Sequence, residues 1–255
     1  MKASIEVSEE CGVRYLHFGS SWVQGAMRIA RPWSLELSYT REMMAALLLR
    51  SNANWPRTVL SIGLGSASLT KFIYRHRPSA KQTVIEISPQ VVAAARHFFK
   101  LPDDPARVKI EIADGLAFVA GAKRCFDLIL VDGFDAEGRA GAFNTRAFYE
   151  LAHSRLSEYG VLAINILRRH RRHRIDIAYL KEAFSGRAFA FPPNADGNTI
   201  AFAAVGKQIR LPFTRLIARA QRLKRETGLD LLPVLKSWKE QGAESQNGAM
   251  PLVDL

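Results

Sequence analysis

Cysteine is nearly absent from this chain. Its two thiols, Cys11 and Cys125, stand too far apart to form a CxxC redox pair or half of a zinc site, so neither a disulfide framework nor a structural metal is indicated. Both read as buried fillers. Long apolar runs are also missing. The longest, residues 43–49, is far too short to cross a bilayer, and Met1-Lys2-Ala3-Ser4-Ile5-Glu6 carries charge where a signal peptide needs an apolar run. The expectation is a soluble, cytoplasmic protein without a membrane partner. Histidines are scattered, and the one close pair, His170 and His173, sits in a run of arginines that would repel a cation, which argues against a bound metal.

Negative charge is scarce as well. Lys and Arg number 36 against 24 Asp and Glu, a formal net charge of +12 that favours weak, non-specific attraction to nucleic acid at low salt. The excess gathers in Arg168-Arg169-His170-Arg171-Arg172-His173-Arg174 and in Arg215, Arg219, Arg222, Lys224 and Arg225. Neither group interleaves aromatics for base stacking, so they read first as solvated faces.

What is present is a full core: 255 residues, 48% hydrophobic, enough for one main domain and a small appendage. Residues 1–56 read as a β-hairpin region followed by a helix over 39–50. From residue 57 to about 210, strands at 59–62, 83–87, 108–112, 127–131 and 161–166 alternate with helical segments at 69–77, 89–99, 116–120 and 145–156. That alternation predicts an α/β fold, a doubly wound and largely parallel sheet covered on both faces. A helix at 175–184 and a late hairpin of strands, 187–191 and 199–205, should close the sheet antiparallel. Residues 211–255 read as a helical tail that frays beyond Gln241.

The chemistry-bearing residues fall at strand ends. Ser61-Ile62-Gly63-Leu64-Gly65-Ser66-Ala67-Ser68 follows the first core strand, and its small residues allow a sharp turn with backbone close to a ligand, or simply a tight strand-to-helix turn. Glu86 ends the next strand, where a carboxylate can accept from both hydroxyls of a ribose. Asp114-Gly115 follows the third strand, placed to accept from an adenine amino group or to cap the next helix. The fourth strand ends in Val131-Asp132-Gly133-Phe134-Asp135; both carboxylates suit ammonium groups, and Asp132 could orient or deprotonate an attacking amine. In so basic a protein, a dication needs such a local reversal of sign, with Glu86, Asp114, Asp132 and Asp135 as candidates.

At these residues the sequence resembles the spermidine synthase (polyamine aminopropyltransferase) family, and within it the shorter bacterial spermidine synthase-like proteins, over about residues 14–206. The resemblance rests on the 63–68 loop, Glu86, Asp114-Gly115, the Asp132 and Asp135 loop, and Phe148-Tyr149 before Gly160-Val161-Leu162. It implies a Rossmann-like, methyltransferase-type sheet, decarboxylated S-adenosylmethionine as aminopropyl donor, putrescine or a similar polyamine as acceptor, and methylthioadenosine as product. It further implies cofactor contacts from Gly63, Gly65, Ser66, Glu86, Asp114 and Gly115, substrate contacts from Asp135, Tyr39 and Gln24, catalysis by Asp132, and a homodimer formed through the N-terminal β-region. Gln24 suits a surface amide equally well.

Two positions depart from the family pattern. Ser66 stands where the family's glycine loop carries an aspartate, and Tyr39-Thr40-Arg41 stands for a Tyr-His-Glu pattern. Arg41 beside a diamine would need neutralising by Glu36 or Glu42. Two other chemistries fit the same fold: methyl transfer from ordinary S-adenosylmethionine, and a non-catalytic descendant acting through its basic faces.

Overall fold

The computed structural model describes residues 4–19, 22–133, 141–167, 173–245 and 252–254. Five strands of a seven-stranded sheet run parallel: β4 (Thr58–Ile62), β5 (Lys81–Glu86), β6 (Val108–Ile112), β7 (Phe126–Val131) and β8 (Leu156–Leu167). Two more, β9 (Ala188–Ala190) and β10 (Asn198–Ala204), complete the order β6-β5-β4-β7-β8-β10-β9, with β10 antiparallel to both neighbours. The predicted late hairpin is therefore present, and its second strand is the one inserted beside β8.

Side chains alternate across a strand, so each buried strand feeds two cores. Val59, Leu128, Leu130, Val161 and Phe202 face one layer, formed by α1 (Ser38–Met43), the 3-10 turn Met44–Leu48, α2 (Ser68–His76), α7 (Phe213–Thr227) and α8 (Leu232–Ser245). Leu60, Ile129, Val131, Leu162 and Ala203 face the other, formed by α4 (Gly115–Gly121), α5 (Arg146–Ser154) and α6 (His173–Ala183). Helix α3 (Pro89–Phe98), started by the Ser88 side chain accepting from the Val91 N–H, packs with β5, β6 and the glycine loop in a smaller cluster.

Several sequence expectations need correction. The N-terminal hairpin is a three-stranded meander, β1 (Ile5–Glu10), β2 (Val13–Phe18) and β3 (Val23–Arg28), whose last strand has only weak alternation. The helix expected over 39–50 is α1 followed by the tighter 3-10 turn. Beyond Gln241 the chain does not fray at once: α8 continues to Ser245, and β12 (Leu252–Asp254) pairs with β11 (Arg210–Pro212), its backbone held by ladder bonds that composition does not announce. Both cysteines are exposed, not buried. Cys11 occupies the turn between β1 and β2, while Cys125 precedes β7 with its sulfur near the Ser154 carbonyl. No helix among the described residues is long and apolar enough to cross a membrane.

Strand order reverses between β4 and β7, and there the backbones nearly touch. The Asp132 N–H donates to the Ile62 carbonyl at 2.9 Å, and the Gly63 N–H donates to the Ile85 carbonyl at 2.9 Å. Gly63 has φ +94°, and a Cβ on it would lie 2.3 Å from the Asp132 carbonyl oxygen. Gly63→Ala should therefore destabilise the fold by about 2–4 kcal/mol, read as a lower denaturant midpoint at unchanged slope.

A second constraint ties α1 to the turn between β9 and β10. The Asn194 amide donates to both oxygens of Glu42 at 3.3 Å each, and Glu42 is 6% exposed. Burial pushes its carboxyl up to about 7, against the opposing pull of the Asn194 amide and of Arg41. A carboxyl that holds its proton more tightly in the folded chain costs stability as pH rises from the ordinary carboxylate range through about 7, and costs none below that range. Glu42→Gln should raise stability by about 1–3 kcal/mol at about pH 8 and leave it unchanged near pH 4, measured by denaturation at both.

Candidate active site

Ligands of an open parallel sheet collect outside the carboxyl ends of its strands, where strand order reverses. A cleft of about 690 Å³ opens there, between β4 and β7, and is walled on one side by the N-terminal meander. It brings together Gln24 on β3, Tyr39 on α1, Gly63 and Gly65 after β4, Glu86 at the end of β5, Asp114 and Gly115 after β6, and Asp132 after β7. Asp135 lies outside the described residues, as do Arg168, Arg169, His170, Arg171 and Arg172.

Glu86 is 8% exposed and held by backbone alone: Oε2 accepts from the Leu64 N–H and Oε1 from the Ser88 N–H, each at 2.9 Å. Burial raises its pKa, while backbone donors on Ser88, Leu64, Ile87 and Gly65 pull the other way. The two bonds of 2.9 Å occupy two of the roughly four lone-pair directions of a carboxylate, which leaves acceptor capacity for ligand hydroxyls. Asp114 does what a helix cap does, its Oδ1 accepting from the Ala117 N–H at 2.8 Å, while it also lines the cleft. Ile87, 69% exposed, and Leu116 add apolar surface to this half.

Asp132 is the hub of the other half. Its Oδ1 accepts from the Asn165 amide at 3.1 Å, and the Tyr39 hydroxyl is hydrogen-bonded to the same carboxylate. Burial raises the Asp132 pKa, and the bonds from Asn165 and Tyr39 lower it. The Tyr39 hydroxyl is pushed well above its ordinary range, first by burial and then by the Asp132 charge, so it stays a donor.

Ser66 does not line the cleft. It is 3% exposed, its hydroxyl lies 2.9 Å from that of Ser68, and the Ser68 hydroxyl donates to the Ala26 carbonyl at 3.2 Å. A Cβ on Gly25 would come within 2.5 Å of the Ser66 Oγ. Ser66 is thus part of the seam between β3 and the glycine loop, which accounts for a small neutral residue where the family carries an aspartate. Arg41 is exposed and lines no part of the cleft, Glu36 pairs with Arg28 at 2.5 Å, and Thr40 donates to the Leu37 carbonyl at 2.7 Å. The cation near Tyr39 is therefore no part of the cleft lining.

Sequence reasoning missed three polar residues of the lining, Asn165, Asp196 and Asn198. Asn165 is a single amide in the apolar run Ala163-Ile164-Asn165-Ile166-Leu167, and that break was the available signal. Asp196 sits in the turn 192–198, where Asp is usual and carries no signal of its own.

The domain described as "Spermine/spermidine synthase domain" matches residues 36–194 of the chain. A polyamine aminopropyltransferase of Chromobacterium violaceum is 36% identical over 226 residues, covering 89% of this chain and 85% of its own length. Among solved structures, a probable spermidine synthase from Corynebacterium glutamicum shares the fold, with a TM-score of 0.73 and 20% identity over 86% of this chain and 83% of that one. Human methyltransferase-like protein 13, solved with SAH, gives a TM-score of 0.69 and 26% identity over 76% of this chain and 93% of that one. With the glycine loop, Glu86, Asp114 and Asp132 all on one cleft, the chain belongs to the spermine/spermidine synthase family of transferases.

Proposed function

We propose that this protein transfers the aminopropyl group of decarboxylated S-adenosylmethionine to an aliphatic amine, putrescine or a similar polyamine. One observation carries the reading: the described residues lining the cleft include Glu86, Asp114, Asp132 and Asp196 and no lysine or arginine. In a chain of net charge +12 that lining is a local reversal of sign. It suits a donor that carries a sulfonium and an ammonium but no carboxylate, and an acceptor that is itself a cation.

Each group then has a task. Glu86 accepts from the ribose hydroxyls, Asp114 from the adenine amino group, and Gly63 and Gly65 let the backbone approach the nucleoside. The acceptor nitrogen attacks the propyl carbon bonded to sulfur; the new C–N bond forms as the C–S bond breaks, and the bond electrons stay on sulfur as neutral methylthioadenosine. The attacking nitrogen then bears a surplus proton, which Asp132 takes and passes to solvent. Tyr39 and Asn165 hold the Asp132 carboxylate in place for this, and Gln24 contributes an amide at the meander side of the cleft.

A second reading, methyl transfer, is favoured by the likeness to the human methyltransferase solved with SAH. The donors differ by one carboxylate, so binding separates the readings. Calorimetry should show decarboxylated S-adenosylmethionine binding at least about tenfold more tightly than the ordinary compound, with methylthioadenosine released on adding a polyamine. Preference for the ordinary donor would overturn aminopropyl transfer. Asp132→Asn should lower kcat by about 10²–10⁴-fold, and the wild-type kcat/KM should rise with pH as Asp132 loses its proton, a limb absent from the variant.

A further inference from the structure

The turn between β9 and β10 is built and not merely a connector. Asn194 Oδ1 accepts from the N–H groups of Asp196, at 3.1 Å, and Asn198, at 3.0 Å, while its amide donates to Ser38 Oγ at 3.3 Å as well as to Glu42. Ser38 Oγ in turn donates to Asp196 Oδ2 at 2.7 Å. This network fixes the Asp196 carboxylate at the cleft, with Gly197 and Asn198 beside it.

Topology puts this carboxylate in line with the reacting end. β10 is antiparallel to β8, so its first residue reaches the edge where β7 and β8 finish: Asn198 pairs with Leu167, Ile200 with Asn165, and Ile164 with Val131. Asp132 just after β7, Asn165 on β8 and Asn198 at the start of β10 therefore lie along one sheet edge.

Between the two carboxylates is an unmet acceptor. Asn165 is 3% exposed, and among the described residues its one partner, Asp132, is an acceptor, so the amide turns its NH₂ that way. Its Oδ1 is then fixed on the other side, buried with no donor among the described residues, in a residue that lines the cleft. A buried acceptor without a donor is costly, and an N–H of a bound ligand would satisfy it.

We propose that Asp196 determines acceptor specificity by taking the ammonium group farthest from the attacking nitrogen, with Asn165 Oδ1 accepting an N–H from the nitrogen held at Asp132. This rests on the aminopropyl-transfer reading and narrows its acceptor to aliphatic di- and polyamines, excluding monoamines of the same length. It also gives the distal role to the β9–β10 turn and not to Asp135.

The test compares putrescine with butylamine on the purified full chain at saturating decarboxylated S-adenosylmethionine, following methylthioadenosine release. Asp196→Asn should raise the KM for putrescine about tenfold with kcat changed less than about twofold, and leave butylamine kinetics as in the wild type. Ser38→Ala, which removes the hydroxyl that bridges Asp196 and Asn194, should shift the putrescine KM the same way by a smaller factor. Asn165→Leu should lower kcat/KM for both amines alike. An unchanged putrescine KM in Asp196→Asn, an equal loss for both amines, or a preference abolished by Asp135→Asn alone would overturn the assignment while leaving aminopropyl transfer standing. A wild-type chain that releases no methylthioadenosine with any amine would sink the reading beneath it.

Discussion

The junction of β4 and β7 sets the terms for everything around it. Backbone bonds link Asp132 to Ile62 and Gly63 to Ile85, and the absent side chain at Gly63 lets the Asp132 carbonyl sit where a Cβ would be. The two halves of the cleft meet across this contact: the loop proposed to approach the nucleoside begins at Gly63, and the carboxylate proposed to serve the acceptor is Asp132. Their separation is therefore fixed by main-chain geometry, the stiffest coupling a protein has, and a reaction that needs a nitrogen lone pair aligned on a carbon beside sulfur depends on that stiffness.

Around the junction the chain solves a problem of charge. Buried carboxylates resist ionisation, and each of these meets the cost by a different route. Glu86 is met by backbone N–H groups of the glycine loop and of Ser88, so its position follows from the same turn it would serve. Asp132 is met by two neutral donors, Asn165 and Tyr39, which hold its geometry without cancelling its charge. Asp196 is exposed, and its carboxylate is held in place by the Ser38 hydroxyl. Had arginines filled these roles the carboxylates would be easier to bury, but the cleft would no longer attract cations. The basic surface can stay basic because the reversal of sign is confined to a lining of neutral donors and acidic acceptors.

Much of this was legible in the sequence because strand periodicity announces where strands end, and ligands of this architecture gather at those ends. Gly63, Glu86, Asp114 and Asp132 each follow an apolar strand, and the structure brings all of them to one cleft. What escaped did so for physical reasons. Ser66 belongs to the same loop but its side chain is turned into the seam with β3, and loop membership does not reveal side-chain direction. Asn165 was hidden within a buried strand, and Asp196 within a turn whose composition explains itself. The covering role of α7 was obscured because its outer face is strongly basic, while Phe213, Leu216, Ala220 and Leu223 pack into the sheet core beneath.

The antiparallel strand β10 divides the cleft between two stretches of the gene. Residues 63–115 build the half proposed for the nucleoside, and the polar row opposite comes from residues 132, 165 and 196–198, later in the chain and joined to the first half through the sheet and the core beneath it. With the acceptor role proposed for Asp196, changes in the β9–β10 turn would alter what is received without touching what is given. A lineage can therefore keep one donor while trying many acceptors, and the hairpin is where relatives with different substrates should be sought first.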